Sequence, residues 1–316
     1  MRCLVSGVAG FIGSHLAERL VRDGQEVIGI DCFLDYYPRE VKEENLAGLK
    51  KSPNFHFQEA NLLELDLPAL VQKTDFIFHL AAQAGVRASW GESFSIYTEN
   101  NIRATQRLLE SCKGQKVSKF ILASSSSVYG DAEEMPTSEN SAPKPVSPYG
   151  LSKLACEHLC YLYWKNHKIP YLALRYFTVY GPRQRPDMAF HKFLRSALHG
   201  KEIEIYGDGN QTRDFTYISD IINATVKSIS TDAVAESVNL GGGSPATIWQ
   251  VLNIIEEITG KRVRLRHIEE QKGDVRHTCA DITKAQRILG YAPQVRLGEG
   301  LRKQFLWQKG GMLDAY

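Results

Sequence analysis

No stretch of the 316-residue chain approaches the roughly twenty apolar residues that a membrane-spanning helix requires. The start, MRCLVSGVAGFIG, has one basic residue and then an apolar run, as a signal peptide would. Its regularly spaced glycines and its direct passage into the amphipathic SHLAERLVRDG argue instead for folded structure. Cysteine is scarce and unpatterned: the six thiols form no C-x-x-C pair and no zinc spacing. Cys156 and Cys160 share a helix face, where small buried hydrophobes are expected rather than metal ligands. That usage fits a reducing cytoplasm and gives no metal site. Excess charge is missing too, since 38 Lys+Arg face 36 Asp+Glu, so nothing draws the chain as a whole to nucleic acid or a membrane surface. Repeats and low-complexity linkers are also lacking. What remains is a hydrophobic fraction of 43% and a charged fraction of 23%, enough for one large domain or two unequal ones around a sizeable core.

The first half alternates short β-rich runs with helical patterns. Strands are expected at 2–6, 25–31, 54–60, 74–82, 119–125 and 170–177, with long helices over about 97–113 and 149–166. Strands alternating with helices predict a parallel α/β sheet covered on both faces. After Gly181 the pattern changes to basic and proline-rich loops, strands EIEIYG and TRDFTYI, then SVNLGGG and the helix TIWQVLNIIEEITG. The expected division is a cofactor-binding domain over 1–177, to which segments near 214–241 return, and a smaller mixed α/β substrate domain over 178–316. In open sheets of this kind, ligands bind outside the carboxyl ends of the strands.

GVAGFIG places Gly7, Gly10 and Gly13 between a strand and a helix. Gly7 permits the tight turn, Gly10 lets backbone approach a pyrophosphate, and Gly13 lets helix and strand pack closely. Asp31 closes the next strand, where its carboxylate can bond the adenosine ribose hydroxyls and repel a 2′-phosphate, so NAD is expected rather than NADP. A lone glycine pattern is weak; strand, loop, helix and acid together are specific.

SPYGLSK sets Tyr149 one helical turn ahead of Lys153, on the same face. Tyrosine is ordinarily a poor base at neutral pH. An ammonium beside it favours the phenolate, which makes it a usable general base. The lysine is also expected to hold the nicotinamide ribose.

GVAGFIG, HLAA (79–82), SSVYG (126–130), SPYGLSK, RYFTVYGPRQRP (175–186), GDGNQTRDFTYISD (207–220) and GDVRHTCADITKA (273–285) together resemble an extended short-chain dehydrogenase/reductase of the nucleotide-sugar epimerase and dehydratase group, over nearly the whole chain. The resemblance implies a Rossmann-type doubly wound sheet and a homodimer paired through the two long helices. It makes Tyr149 the base, Lys153 its partner and Ser125 the hydroxyl that bonds the reacting oxygen. Phe11 and Ile12 fall within the glycine loop; Asn61 and Leu62 flank the adenine; Leu80, Ala81 and Ala82 line the cofactor; Tyr176 sits near the nicotinamide. Arg213 and Arg276 match residues that grip the nucleotide diphosphate.

Dehydratases of the group carry Asp-Glu where this chain has Ser126-Ser127. Serines supply neither the general acid nor the base that loss of water needs, so dehydration is not expected. The continuation GPRQRPDMAF and the loop AGVRASWGE, with Arg87, are similar to those of UDP-glucuronate 4-epimerases. A C5 carboxylate would meet Ser126, Ser127, Thr178 and Arg185. Three other readings stay open: UDP-glucuronate decarboxylase, UDP-glucose 4-epimerase, and a non-catalytic NAD-binding sensor, the last disfavoured by the presence of both Tyr149 and Lys153.

Overall fold

The computed structural model describes residues 1–269 and 273–310. From the N-terminus the elements are β1 (Arg2–Ser6), α1 (Phe11–Arg22), β2 (Glu26–Asp31), α2 (Arg39–Ala47), β3 (Phe55–Glu59), α3 (Leu67–Val71), β4 (Phe76–His79), α4 (Phe94–Tyr97), α5 (Ala104–Ser111), β5 (Lys119–Ser125), α6 (Pro148–His167) and β6 (Tyr171–Tyr176). There follow β7 (Thr178–Tyr180), α7 (Ala189–His199), β8 (Glu202–Tyr206), β9 (Thr212–Tyr217), α8 (Ile218–Lys227), β10 (Glu236–Leu240), β11 (Pro245–Thr247), α9 (Ile248–Thr259), β12 (Arg264–Ile268), α10 (Thr283–Leu289) and α11 (Leu297–Gly310).

Seven strands form one parallel sheet in the order β10-β6-β5-β4-β1-β2-β3. Every residue of β5 and of β6 is buried, which is the condition of a strand covered on both faces. Period-two alternation divides the strands between two cores: Cys3, Val5 and Phe78 pack on one face, Leu4, Ile77 and Phe120 on the other. The first core runs on into the C-terminal region through Tyr180, Phe190 and Phe215, the last two with ring centroids 4.4 Å apart. One hydrophobic body therefore supports both parts of the site.

The chain reverses direction of winding at β1, whose neighbours are β2 on one side and β4 on the other. The crevice at the carboxyl ends of these strands is the expected ligand position. Later elements build around it. β7, β9 and β11 form a three-stranded sheet, while β8 pairs with β12. Thus EIEIYG and TRDFTYI belong to separate small sheets. The helix expected over 97–113 begins earlier, at Phe94, and is interrupted by a π-helical turn over Thr98–Arg103 before α5. Among the described residues no helix is long and apolar enough to cross a membrane.

Candidate active site

β1 ends at Ser6 and the chain turns through Gly7 at φ 73°, where a side chain would be strained. A Cβ there would also lie 2.7 Å from the Ala81 nitrogen, so the 80–82 segment abuts the loop directly. A Cβ on Gly13 would stand 2.1 Å from the Gly7 carbonyl oxygen, which is the close helix–strand packing expected of the third glycine. Gly10 caps α1 without a side-chain hydrogen bond. The helix therefore opens on backbone N–H donors, a setting suited to a diphosphate.

A cavity of about 220 Å³ crosses the strand ends at this point. Gly7, Gly10, Phe11, Ile12 and Gly13 line it beside β1. Asp31, Asn61 and Leu62 line it beyond β2 and β3, and Leu80, Ala81 and Ala82 beyond β4. Tyr149, Lys153 and Tyr176 line it on the β5–β6 side. These sequence-predicted residues, far apart in the chain, thus share one trench. Tyr36, Tyr37, Lys42, Gln83, Asn100 and Ser124 line it as well and were not anticipated. The aromatic pair in DYYPRE, five and six residues after Asp31, was the one local signal for the first two.

Asp31 accepts the Ala9 N–H at 3.0 Å on one carboxylate oxygen and the Phe33 N–H at 2.9 Å on the other. Burial pushes its pKa up, against those two bonds and the nearby Lys42 ammonium. Lys42 is buried, donates to the Leu34 carbonyl and lies 4.5 Å from the centroid of the Tyr37 ring. Asp31 therefore shapes the loop as well as facing the cavity.

On the other side, Ser147 caps α6 by accepting the Gly150 N–H at 3.1 Å, and Pro148 occupies the first helical turn. A Cβ on Gly150 would meet the Ser127 carbonyl oxygen at 2.3 Å, so glycine lets the serine run press on the helix beside Tyr149. The buried Lys153 donates to the Ala123 carbonyl at 2.9 Å. Ser125 accepts the Ser127 N–H at 3.1 Å, and the two hydroxyls are 3.1 Å apart. Tyr97 meets Tyr149 edge-on at 6.3 Å between centroids. The π-turn places Asn101 to accept the Gln83 N–H at 2.7 Å and to donate to Ser152 on α6 at 2.8 Å. Such turns often mark functional positions in a helix.

The predicted sugar and nucleotide contacts divide. Arg185 lines the cavity, with Nε and Nη2 forked onto Asp187 at 2.9 and 3.0 Å. Burial alone would raise the Asp187 carboxyl; the Arg185 fork holds it below its ordinary range. Tyr36 donates to the same carboxylate at 3.2 Å. Ser125, Ser126, Ser127 and Thr178 stand next to the cavity rather than in its lining, at the ends of β5 and the start of β7. Arg87, Arg213 and Arg276 also lie outside the lining. Arg87 pairs with Asp274 at 2.5 Å and stacks 3.6 Å from the centroid of Tyr206. Arg276 pairs with Asp208 at 3.0 Å. Arg213 donates to the carbonyls of Thr212 and Arg276 at 2.9 and 3.1 Å, and burial pushes its pKa down. The structure thus gathers these arginines around the β9 and 274–276 segments, partly neutralised by Asp208 and Asp274.

A profile of the NAD dependent epimerase/dehydratase family matches residues 3–241. A Bacillus subtilis (strain 168) protein, YtcB, described as an uncharacterized UDP-glucose epimerase, is 45% identical over 97% of this chain and 98% of its own length. A UDP-glucuronate 4-epimerase from Thermodesulfobacterium geofontis (strain OPF15) is 39% identical over 97% of this chain and 95% of its own. The crystal structure of a UDP-glucuronic acid 4-epimerase from Bacillus cereus, in complex with UDP-glucuronic acid and NAD, superposes with a TM-score of 0.96 at 46% identity, covering 98% of this chain and 99% of that one.

Proposed function

The chain belongs to the NAD dependent epimerase/dehydratase family, and from that footing we propose that it inverts C4 of UDP-glucuronate, giving UDP-galacturonate. The observation that carries the reading is the shared trench. A glycine loop and Asp31 occupy one stretch of it, and Tyr149 with Lys153 the other. The uronic acid is supported by the likeness to the Bacillus cereus enzyme over nearly the full length.

The residues fit NAD. The uncapped start of α1 faces the trench beside three close-packed glycines, and Asp31 stands at the end of β2 for ribose hydroxyls. When bound, NAD supplies a hydride acceptor that is regenerated in each turnover. The chain's own part is proton movement and restraint. Tyr149 takes the C4 hydroxyl proton, assisted by the Lys153 charge, and Ser125 bonds the same oxygen. After the 4-keto sugar has presented its other face, Tyr149 returns the proton to the C4 oxygen. Arg213 and Arg276 hold the diphosphate while the sugar turns, Arg87 supports that grip, and planar guanidinium forks suit phosphate oxygens. The intermediate is a β-keto acid, prone to lose CO₂. Ser126, Ser127, Thr178 and Arg185 restrain the carboxylate in an orientation that disfavours the loss.

A second reading, UDP-glucose 4-epimerase, is favoured by the description of YtcB. Product analysis after incubation of purified protein with each UDP-sugar decides. UDP-galacturonate without pentose supports the proposal; CO₂ release makes it a decarboxylase, and comparable turnover of UDP-glucose makes it a neutral-sugar enzyme.

We further propose a cytoplasmic homodimer, with the chain divided near residue 177. Four of the six unpaired thiols are buried, which suits a reducing compartment. Leu151 and Leu162, eleven residues apart on α6, are 50% and 52% exposed, and Phe94 and Ile96 on α4, in the chain's other long helical stretch, are exposed as well. Such apolar faces suit helix-to-helix pairing.

A further inference from the structure

Tyr149, Lys153 and Glu157 fall at i, i+4 and i+8, on one face of α6. The first two serve the chemistry proposed above. Glu157 lies outside the cavity lining and is 6% exposed, a costly place for a carboxylate unless it is fully bonded. It is fully bonded. Arg175, on β6, donates Nε to Oε1 at 2.9 Å and Nη2 to Oε2 at 2.6 Å. Ser124, on β5, donates to Oε1 at 2.5 Å, and Ser237, on β10, to Oε2 at 3.2 Å. One carboxylate on α6 therefore joins three adjacent strands. The register is level: Ser124 stands opposite Arg175, and Arg175 opposite Asn239. The second guanidinium edge is also fixed, Nη1 donating to the Tyr129 hydroxyl at 2.7 Å, which in turn donates to Asn239 at 2.7 Å.

Burying an ion pair adds little net stability compared with an apolar pair of the same volume, because desolvation offsets attraction. What such a pair does supply is direction: a guanidinium fork fixes a carboxylate in both distance and plane. The residues it fixes are those flanking the reaction. Ser124 sits between Ala123, whose carbonyl accepts the Lys153 ammonium, and Ser125. Successive residues of β5 are thus fastened to successive turns of α6.

We propose that Glu157 is a positioning residue for C4 epimerisation, acting through Ser124 and Arg175 to hold the Tyr149–Lys153 face of α6 in register with the end of β5. The assignment rests on the proposed proton transfer by Tyr149, but on neither sugar in particular. Glu157 touches no substrate atom; it sets where the base and its lysine stand relative to Ser125.

The test uses purified NAD-loaded enzyme. Ser124→Ala removes the hydroxyl between β5 and Glu157 and leaves the ion pair in place. Glu157→Gln keeps the shape and leaves the cavity lining untouched. For each, bound NAD, the thermal midpoint, kcat, KM and the kcat–pH profile are measured. A 1 Å misplacement of catalytic groups can cost about 10²-fold, so a partial loosening is expected to lower kcat roughly tenfold. Ser124 also lines the cavity, so its variant is read on the thermal midpoint, which should hold, and on the acid limb of the kcat–pH profile, which in both variants should move to higher pH. A kcat within about twofold of the parent with a superimposable profile overturns the proposal. So does a loss of kcat that merely tracks lost NAD or lost stability. If Glu157→Gln fails to fold, with Arg175 left uncompensated, the pH profile of Ser124→Ala decides, since loss of a cavity contact would lower kcat or NAD retention without moving the acid limb. Both variants are assayed on UDP-glucuronate and UDP-glucose. Should the parent turn over only the neutral sugar, the carboxylate assignment fails while the Glu157 comparison proceeds on UDP-glucose.

Discussion

Acidification should destabilise this protein through a histidine beneath the glycine loop. His79 is 2% exposed, and its Nδ1 lies 2.7 Å from the Ser6 hydroxyl and its Nε2 2.9 Å from that of Thr105. Thr105 donates its own proton to the Asn101 carbonyl at 2.6 Å, so its oxygen is left to accept from Nε2–H. Nδ1 is then the unprotonated nitrogen, receiving the Ser6 proton. A second proton on the ring would reverse that bond and place a charge in the core, where Lys153 adds repulsion. Burial, the larger cause, and Lys153 push the pKa from 6.5 down to about 3. Since the unfolded chain binds a proton near pH 6.5 and the folded one does not until about pH 3, the neutral ring's contribution is complete above the unfolded value and is lost as pH falls through this window. At about pH 5 the loss from His79 alone is about 2 kcal/mol by linkage. His15, lowered by burial to about 4, adds a loss of the same sign. Urea unfolding at about pH 7 and about pH 5 measures the total, and His79→Gln, which can donate and accept at comparable positions without titrating, isolates the share of one ring. If the Gln variant loses as much stability between the two pH values as the parent, the assignment of the acid sensitivity to His79 is wrong.

Tyr149→Phe should fold and bind UDP-sugar while losing about 10²–10⁴-fold in kcat from the missing general base; near-normal turnover would exclude the proton transfer assigned to it. Asp31→Ala should weaken NAD and improve NADP relative to it, and should also lower the thermal midpoint, because the carboxylate holds the Ala9 and Phe33 N–H groups. Equal affinity of the parent for both dinucleotides contradicts the ribose role. Tyr36 reaches from the loop after β2 to Asp187 in the loop after β7, and its hydroxyl fills the space that a Cβ on Gly85 would take, at 2.5 Å. Tyr36→Phe should therefore release bound NAD faster, by roughly three- to tenfold for one hydrogen bond, as read from cofactor retained during gel filtration; unchanged retention removes the bridge from any holding role. Thr178→Ala should let pentose product appear from UDP-glucuronate while turnover continues, and an unchanged product ratio would mean that this hydroxyl does not restrain the carboxylate.

What could be read from the chain and what could not differ in range rather than in importance. The spacing of Gly7, Gly10 and Gly13 is a local instruction, because each glycine answers a constraint set within a few residues or by the adjoining strand. The pairing of Tyr149 with Lys153 is equally local, one turn of one helix. Glu157 continues that same face, yet its role rests on Ser124, Arg175 and Ser237, separated from it by 33, 18 and 80 residues. Periodicity says which face a residue takes, not which strand that face meets. The same holds for Tyr36 with Asp187, 151 residues apart, and for Arg87 with Asp274, 187 apart. Arg185 is the sharpest case. In sequence it is a free cation in a proline-rich loop, available to a substrate carboxylate. In the folded chain Asp187, two residues on, occupies its Nε and Nη2 and shares Tyr36 with it. A sugar carboxylate reaching this arginine must bind a partly neutralised guanidinium. Its attraction is then weaker than a bare charge would give, and its orientation is set by a carboxylate of the protein. On the proposed reading, the hydroxyls of the 125–127 run and Thr178 then carry more of the restraint, by geometry rather than by charge.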